Sequence, residues 1–180
     1  MTRADRRSAL VVVAAEAEAV VGDSRLRYGR EAVERGLPAH LTILFPFVPA
    51  TEIDDGLLEG LRQLYAPIGS FAYDLASVEA FPDAAWLAPR PAEPFHELVE
   101  ITRQAFPALP PYGDPDLAVV PHCTIGTDDD PDRVEAMVRE LQGVLGPRLP
   151  IRCRSDEVVL LCEGAGGTWA RRAAFPLLGR

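Results

Sequence analysis

Two short stretches of this chain place an imidazole two residues before a hydroxyl: His40-Leu41-Thr42-Ile43 and His122-Cys123-Thr124-Ile125. They use two of the three histidines present. Imidazole is the side chain whose ordinary pKa lets it take and give protons near neutrality. A neutral histidine accepts a proton from water, and a protonated one donates to a leaving oxygen. A threonine hydroxyl beside each can donate to the non-bridging oxygens of a phosphoryl group. In-line displacement at phosphorus puts nucleophile and leaving group on opposite sides. Two facing motifs of this kind supply a base and an acid for it without a metal.

Such groups need rigid supports. Leu37-Pro38-Ala39 precedes the first motif and Val120-Pro121 the second, and both motifs lie in apolar, β-branched sequence. Strands are expected over about 39–48 and 117–126. Residues i and i+2 of a strand share a face, so His40 and Thr42 point together, as do His122 and Thr124, while Leu41 and Cys123 point the other way. The two histidines are 82 residues apart (122 minus 40), nearly half of the 180-residue chain. That spacing predicts two related lobes meeting at one cleft.

The surrounding pattern alternates strands and helices. Ser8 to Ala15 reads as a buried strand, and Ser24 to Gly36 as a charged helix ended by Gly36-Leu37-Pro38. Thr51 is the expected cap of a helix whose apolar face is Ile53, Leu57, Leu61, Leu64 and Ile68. Phe71 to Phe81 reads as a strand, Pro82-Asp83-Ala84 as a turn, and Ala85 to Ala88 as its return. A helix opens at Pro91 to Pro94 with Phe95, Leu98, Val99, Thr102 and Phe106 inward. The Pro-rich stretch from Phe106 to Pro115 is then a crossover between lobes or a loop over the site. Asp130-Pro131 reads as an N-cap followed by proline, opening a helix with the stripe Val134, Met137, Val138, Leu141 and Leu145. Strands are expected near 151–162 and 168–177, joined by the glycine-rich turn 164–167. The second half repeats much of the first in outline. Helices beside largely antiparallel sheet make the class α+β.

Composition bounds the function. Residues 1–180 fit a single domain of two lobes, and 48% hydrophobic content is enough for a packed core. A net charge of −9 argues against an extended nucleic-acid footprint, which rests on phosphate neutralisation, but leaves room for a small phosphorylated ligand. All eighteen basic residues are arginine, so lysine Schiff-base and P-loop chemistry are excluded. Three cysteines without a C-x-x-C pattern read as reduced, buried residues of a cytoplasmic protein. The mildly basic N-terminus lacks the apolar length and cleavage pattern of a signal peptide, and nothing reaches transmembrane length.

With its paired motifs His40-Leu41-Thr42-Ile43 and His122-Cys123-Thr124-Ile125, the chain resembles the two-histidine (2H) phosphoesterase superfamily. Within it, the chain is similar to the bacterial 2′-5′ RNA ligase-like (LigT-like) family. The resemblance spans nearly the whole chain. It implies a bilobal fold, with two pseudo-symmetric lobes of mainly antiparallel sheet, outer helices and a central cleft. It also implies metal-independent hydrolysis of a cyclic phosphodiester, a 2′,3′-cyclic nucleotide or an RNA-terminal cyclic phosphate, with no cofactor. Carried over, His40 and His122 are the acid–base pair, and Thr42 and Thr124 hold the phosphate. Which histidine is the base stays open. The resemblance also admits RNA 2′-5′ ligation or 2′-5′ phosphodiesterase activity. A non-catalytic nucleotide- or RNA-binding module is the alternative from another class. The expected partner is a small nucleotide or RNA end, handled by a monomer. One departure is Thr127, five residues beyond His122, where many relatives carry a basic residue; Asp128-Asp129-Asp130 follows it. It favours a small nucleotide, or a cyclic phosphodiester outside RNA, over an RNA backbone.

Other candidates have plainer readings. His96 fits a surface position near a helix start. Trp86 and Trp169 fit hairpin packing, with base stacking as the alternative. Arg27, Tyr28 and Arg30 fit a solvated helix face, with phosphate contact as the alternative, and Arg171-Arg172 are read the same way. Cys123 faces away from the site, which argues against a catalytic thiol. Metal binding is the remaining use of the two histidines, but no third ligand lies at useful spacing.

Overall fold

The computed structural model describes residues 6–179; residues 1–5, the start of the basic N-terminal segment, and Arg180 lie outside it. Eight strands form one antiparallel sheet: β1 (Ser8–Val13), β2 (His40–Leu44), β3 (Phe71–Phe81), β4 (Ala84–Arg90), β5 (Cys123–Thr127), β6 (Ile151–Ser155), β7 (Glu157–Glu163) and β8 (Trp169–Pro176). Their order is β6-β3-β4-β5-β2-β1-β7-β8. The two motif strands are therefore the central pair, and each is the inner strand of a four-stranded lobe, β5-β4-β3-β6 or β2-β1-β7-β8.

The α-helices among the described residues are five: α1 (Ala15–Tyr28), α2 (Arg30–Glu34), α3 (Asp55–Tyr65), α4 (Glu93–Ala105) and α5 (Pro131–Leu145). The α1 and α5 helices cover the β5 lobe, while α3 and α4 cover the β2 lobe. The strand alternation explains why the core can be built this way. Leu10 and Val12 of β1 point into the large cluster that the helices share, whereas Ala9 and Val11 point into a smaller one with Val159, Leu161 and Trp169. A strand buried on both faces reads as an unbroken apolar run, as Ala-Leu-Val-Val-Val does. Each fully buried leucine or valine side chain contributes roughly 1.5–3 kcal/mol.

The α+β class and the bilobal arrangement agree with the reading of the sequence, and several details differ. The lobes do not follow the halves of the chain: the chain builds β1 and β2, crosses to build β3 to β6, and returns with β7 and β8. The first helix starts at Ala15 rather than Ser24 and breaks at Gly29. Its buried residues include Ser24 and Arg25, so no apolar stripe marked it. Asp54, not Thr51, caps α3, its carboxylate accepting the Leu57 N–H at 2.8 Å. Asp130 caps α5 as expected, accepting the Asp132 N–H at 3.0 Å. The β2 strand stops at Leu44, before Phe45-Pro46, since proline lacks the donor for the next ladder bond. The stretch 151–162 is two strands, not one: β6 pairs with β3 and β7 with β1, parted at Asp156. No helix among the described residues is long and apolar enough to cross a membrane.

Candidate active site

The β2 and β5 strands pair antiparallel with Leu41 opposite Cys123. That one register fixes the rest. One step along in each direction puts His40 opposite Thr124 and Thr42 opposite His122. Leu41 and Cys123 are both wholly buried in the helix-side core, so the four polar side chains lie together on the other face, each partly buried. The sequence-expected groups are brought to one place, related by a two-fold through the Leu41–Cys123 pair. The second ladder is shorter than expected: 117–122 carries no strand, and His122 stands one residue before β5.

Both imidazoles are held alike. His40 Nδ1 is 2.7 Å from the Pro38 carbonyl, and His122 Nδ1 is 2.7 Å from the Val120 carbonyl. A carbonyl only accepts, so each Nδ1 donates, and the neutral rings carry their free lone pair on Nε2. Their surroundings differ. Burial pushes the His40 pKa down; its bond to Pro38 opposes this, Arg25 and His122 lower it further, and Glu18 raises it. Burial also lowers the His122 pKa, opposed by the bond to Val120 and by the charge of Asp83.

The segment holding His40 is braced from beneath. Arg25, only 4% exposed, donates from Nη1 to Glu18 at 2.8 Å and from Nη2 to the Leu37 carbonyl at 2.7 Å. Glu18 accepts the Ala39 N–H at 2.7 Å. This ion pair, buried at Arg25 and half-exposed at Glu18, thus fixes the residues on either side of the Pro38 carbonyl. On the other lobe His122 is packed by aromatic rings: Phe81 stands edge-on at 5.0 Å and Trp86 at 5.8 Å, stacked on each other at 4.9 Å. Trp86 is a hairpin packing residue, and it also fixes the face of His122.

Two cavities open from the centre. One, of about 480 Å³, reaches His40 and Thr42 and is lined by Arg7, Arg30, Arg35, Phe45 and Trp169 among others. The other, of about 560 Å³, reaches His122, Thr124 and Thr42 and is lined by Phe81, Asp83, Tyr112 and the aliphatic run 117–120. Thr127 borders both. The Pro-rich stretch crosses between lobes and also lies over the site. Tyr112 donates its N–H to the Phe45 carbonyl at 2.6 Å. Burial of its phenol end raises the pKa, and the neighbouring Thr42 opposes the rise. Its φ of 53° is left-handed, a conformation tyrosine rarely adopts.

Arg7, Arg35, Phe45, Phe81, Asp83 and Tyr112 were not read as site residues from sequence. Of the weaker candidates, Tyr28 and Arg30 line the first cavity, whereas Arg27 pairs with Glu140 at 2.7 Å and Arg171 with Glu157 at 2.7 Å. His96 is exposed on α4. Cys123 faces the core, where burial pushes its thiol up to about 12. Among the described residues, no group of three or more His, Cys, Asp and Glu side chains is set to hold a metal ion.

A family model described as the 2′-5′ RNA ligase superfamily matches residues 13–167. Among solved structures the chain is similar to E. coli LigT complexed with 3′-AMP, at 13% identity over 96% of this chain and 98% of that chain, with a TM-score of 0.59. It is similar to TT0787 of Thermus thermophilus at 20% identity over 97% of this chain and 99% of that chain, with a TM-score of 0.62. E. coli LigT complexed with NADP+ matches at 15% over 96% and 98%, with a TM-score of 0.60. At these identities the likeness is one of fold. No curated protein sequence matches the chain.

Proposed function

The chain belongs to the 2′-5′ RNA ligase superfamily, and from that premise we propose that it is a phosphoesterase that hydrolyses a cyclic phosphodiester on a small nucleotide, without a metal. The observation that carries this reading is the two-fold placement of His40 against Thr124 and Thr42 against His122 across one strand pair. Water attacks phosphorus in line with the departing ribose oxygen. His40 takes the proton from the water through Nε2. His122 gives the proton from its Nε2 to the leaving oxygen, and the P–O bond of the ring breaks. The Thr42 and Thr124 hydroxyls donate to the non-bridging oxygens, where charge builds up. This division of labour is favoured by the charges nearby: Arg25 opposes a proton on His40, and Asp83 favours one on His122.

The nucleotides in the LigT complexes support a nucleotide as ligand. The −9 net charge and the acidic run after Thr127 favour a mononucleotide over an RNA chain, and hydrolysis over ligation. We further read residues 1–180 as one bilobal domain, acting as a monomer. Three free cysteines suit a cytoplasmic setting.

The test is turnover of a panel of 2′,3′-cyclic nucleotides in EDTA by wild type, His40→Ala and His122→Ala. Turnover should survive chelation and fall about 10²–10⁴-fold in either variant. Activity abolished by EDTA and restored by a divalent metal would overturn the mechanism.

A further inference from the structure

The two cavities that flank the histidines differ in charge. The cavity beside His122 is lined by aliphatic and aromatic side chains with one carboxylate, Asp83, and no cation among the described residues. The cavity beside His40 is lined by three guanidinium groups, from Arg7, Arg30 and Arg35, against one carboxylate, Glu31. An anion entering on the first side meets Asp83; on the second it meets arginine.

The arginines are placed in advance. Arg7 clamps the carboxylate of Glu163 through Nε at 3.0 Å and Nη2 at 3.1 Å, and lies 5.8 and 5.6 Å over the rings of Phe45 and Trp169. Arg35 also bonds Glu163, and donates from Nε to the Gly167 carbonyl at 2.7 Å. The Glu163 side chain is wholly buried beneath both, and Glu31 also accepts from Arg35 Nη1 at 3.1 Å, so Arg35 is fully engaged while Arg7 shares its one carboxylate. Among the described residues Arg7 Nη1 has no bonded partner, which leaves donors for a ligand. Among the described residues Arg30 is tied only to Glu34, at 3.5 Å on the helix surface, a pairing weak enough to yield to a phosphate.

We propose that the His40-side cavity is a subsite for a second anionic group of the substrate, a phosphoryl group on the 5′ oxygen of the nucleoside whose cyclic phosphate is opened. The apolar cavity beside His122 then takes the base, against Phe81 and Tyr112. This rests on the reading of the centre as a cyclic phosphodiesterase site and adds a direction to it: the 5′ side of the substrate lies towards α2, the base towards β3 and β4. The same phosphoryl group is presented by a free nucleotide, as a monoester, and by an RNA end, as a diester.

Calorimetric titration with product-like ligands tests it. The ligands are a nucleoside 3′-monophosphate, the corresponding 3′,5′-bisphosphate, and a dinucleotide ending in a 3′-phosphate. Wild type should bind the bisphosphate about tenfold more tightly than the monophosphate, as expected for charge-assisted hydrogen bonds. In Arg30→Gln and Arg7→Gln that ratio should fall towards one, and it should shrink with salt in wild type. Arg30 is exposed and outside the core, so its variant keeps the test valid even if Arg7→Gln fails to fold. A gain confined to the bisphosphate assigns a free nucleotide; an equal gain with the dinucleotide assigns an RNA end. Equal affinity for the mono- and bisphosphate in wild type, or a ratio unchanged in Arg30→Gln, overturns the subsite. If cyclic nucleotides are still hydrolysed in that case, only the subsite is lost. If nothing binds and nothing is hydrolysed, both readings fall.

Discussion

Arg25 and Asp83 set the two imidazoles in different fields, and that difference is measurable. In the proposed mechanism the reaction needs His40 neutral, so kcat/KM should rise as pH climbs through its pKa. The same mechanism needs His122 protonated, so kcat/KM should fall as pH climbs through that one. Burial holds both below the ordinary value of 6.5, so the optimum for the free enzyme should lie on the acid side of 6.5. Asp83 raises the His122 pKa, so Asp83→Asn should move the alkaline limb to lower pH and leave the acid limb in place. A pH profile in which the acid limb moves instead would exchange the roles of the two histidines.

At the scale of elements, the approach of α1 to β5 depends on missing side chains. A Cβ at Gly126 would lie 2.4 Å from the Tyr28 Cβ, 2.8 Å from the Met137 Sδ and 2.9 Å from the Tyr28 carbonyl. One at Gly29 would lie 2.8 Å from the Ile125 carbonyl. Gly126→Ala should therefore cost about 1–3 kcal/mol through overpacking, lower Tm by several degrees, and disturb Tyr28 in the His40-side cavity. An unchanged melting curve would mean that α1 moves aside freely. The elements that were legible in the sequence were those with regular signals. The alternation around Leu41 and Cys123 gave the facing of the site, and Asp130-Pro131 gave the start of α5. The start of α1 was hidden because Ala14 offers no capping side chain. The Ser155-Asp156 break was hidden because it has neither glycine nor proline. Arg7 was out of reach for a different reason: only the pairing of Ser8 with Cys162 brings it beside Glu163, 156 residues away. Tyr112 lay in a stretch whose path no local rule determines.

At the scale of the whole molecule, charge limits the partner. A net charge of −9, with Asp128 to Asp130 just beyond Thr127, gives an RNA backbone little to hold outside the two cavities. The KM of a short RNA ending in a cyclic phosphate should therefore respond to salt no more steeply than that of a mononucleotide substrate. A steeper slope would reveal further phosphate contacts along the chain.

The return of β7 and β8 to the first lobe also bears on how the molecule is made. Strands β3 to β6 are contiguous neighbours of one another, save for α4 and α5 between them, and leave the ribosome as a set that can pair at once with α1 already in hand. The outer neighbour of β1 is β7, some 150 residues downstream by the Ser8–Cys162 pairing. Domains usually fold from the N-terminus as they are synthesised. The connectivity here permits the reverse order: the half that carries His122 can be complete while β1, beside the strand of His40, still waits for its outer neighbours β7 and β8.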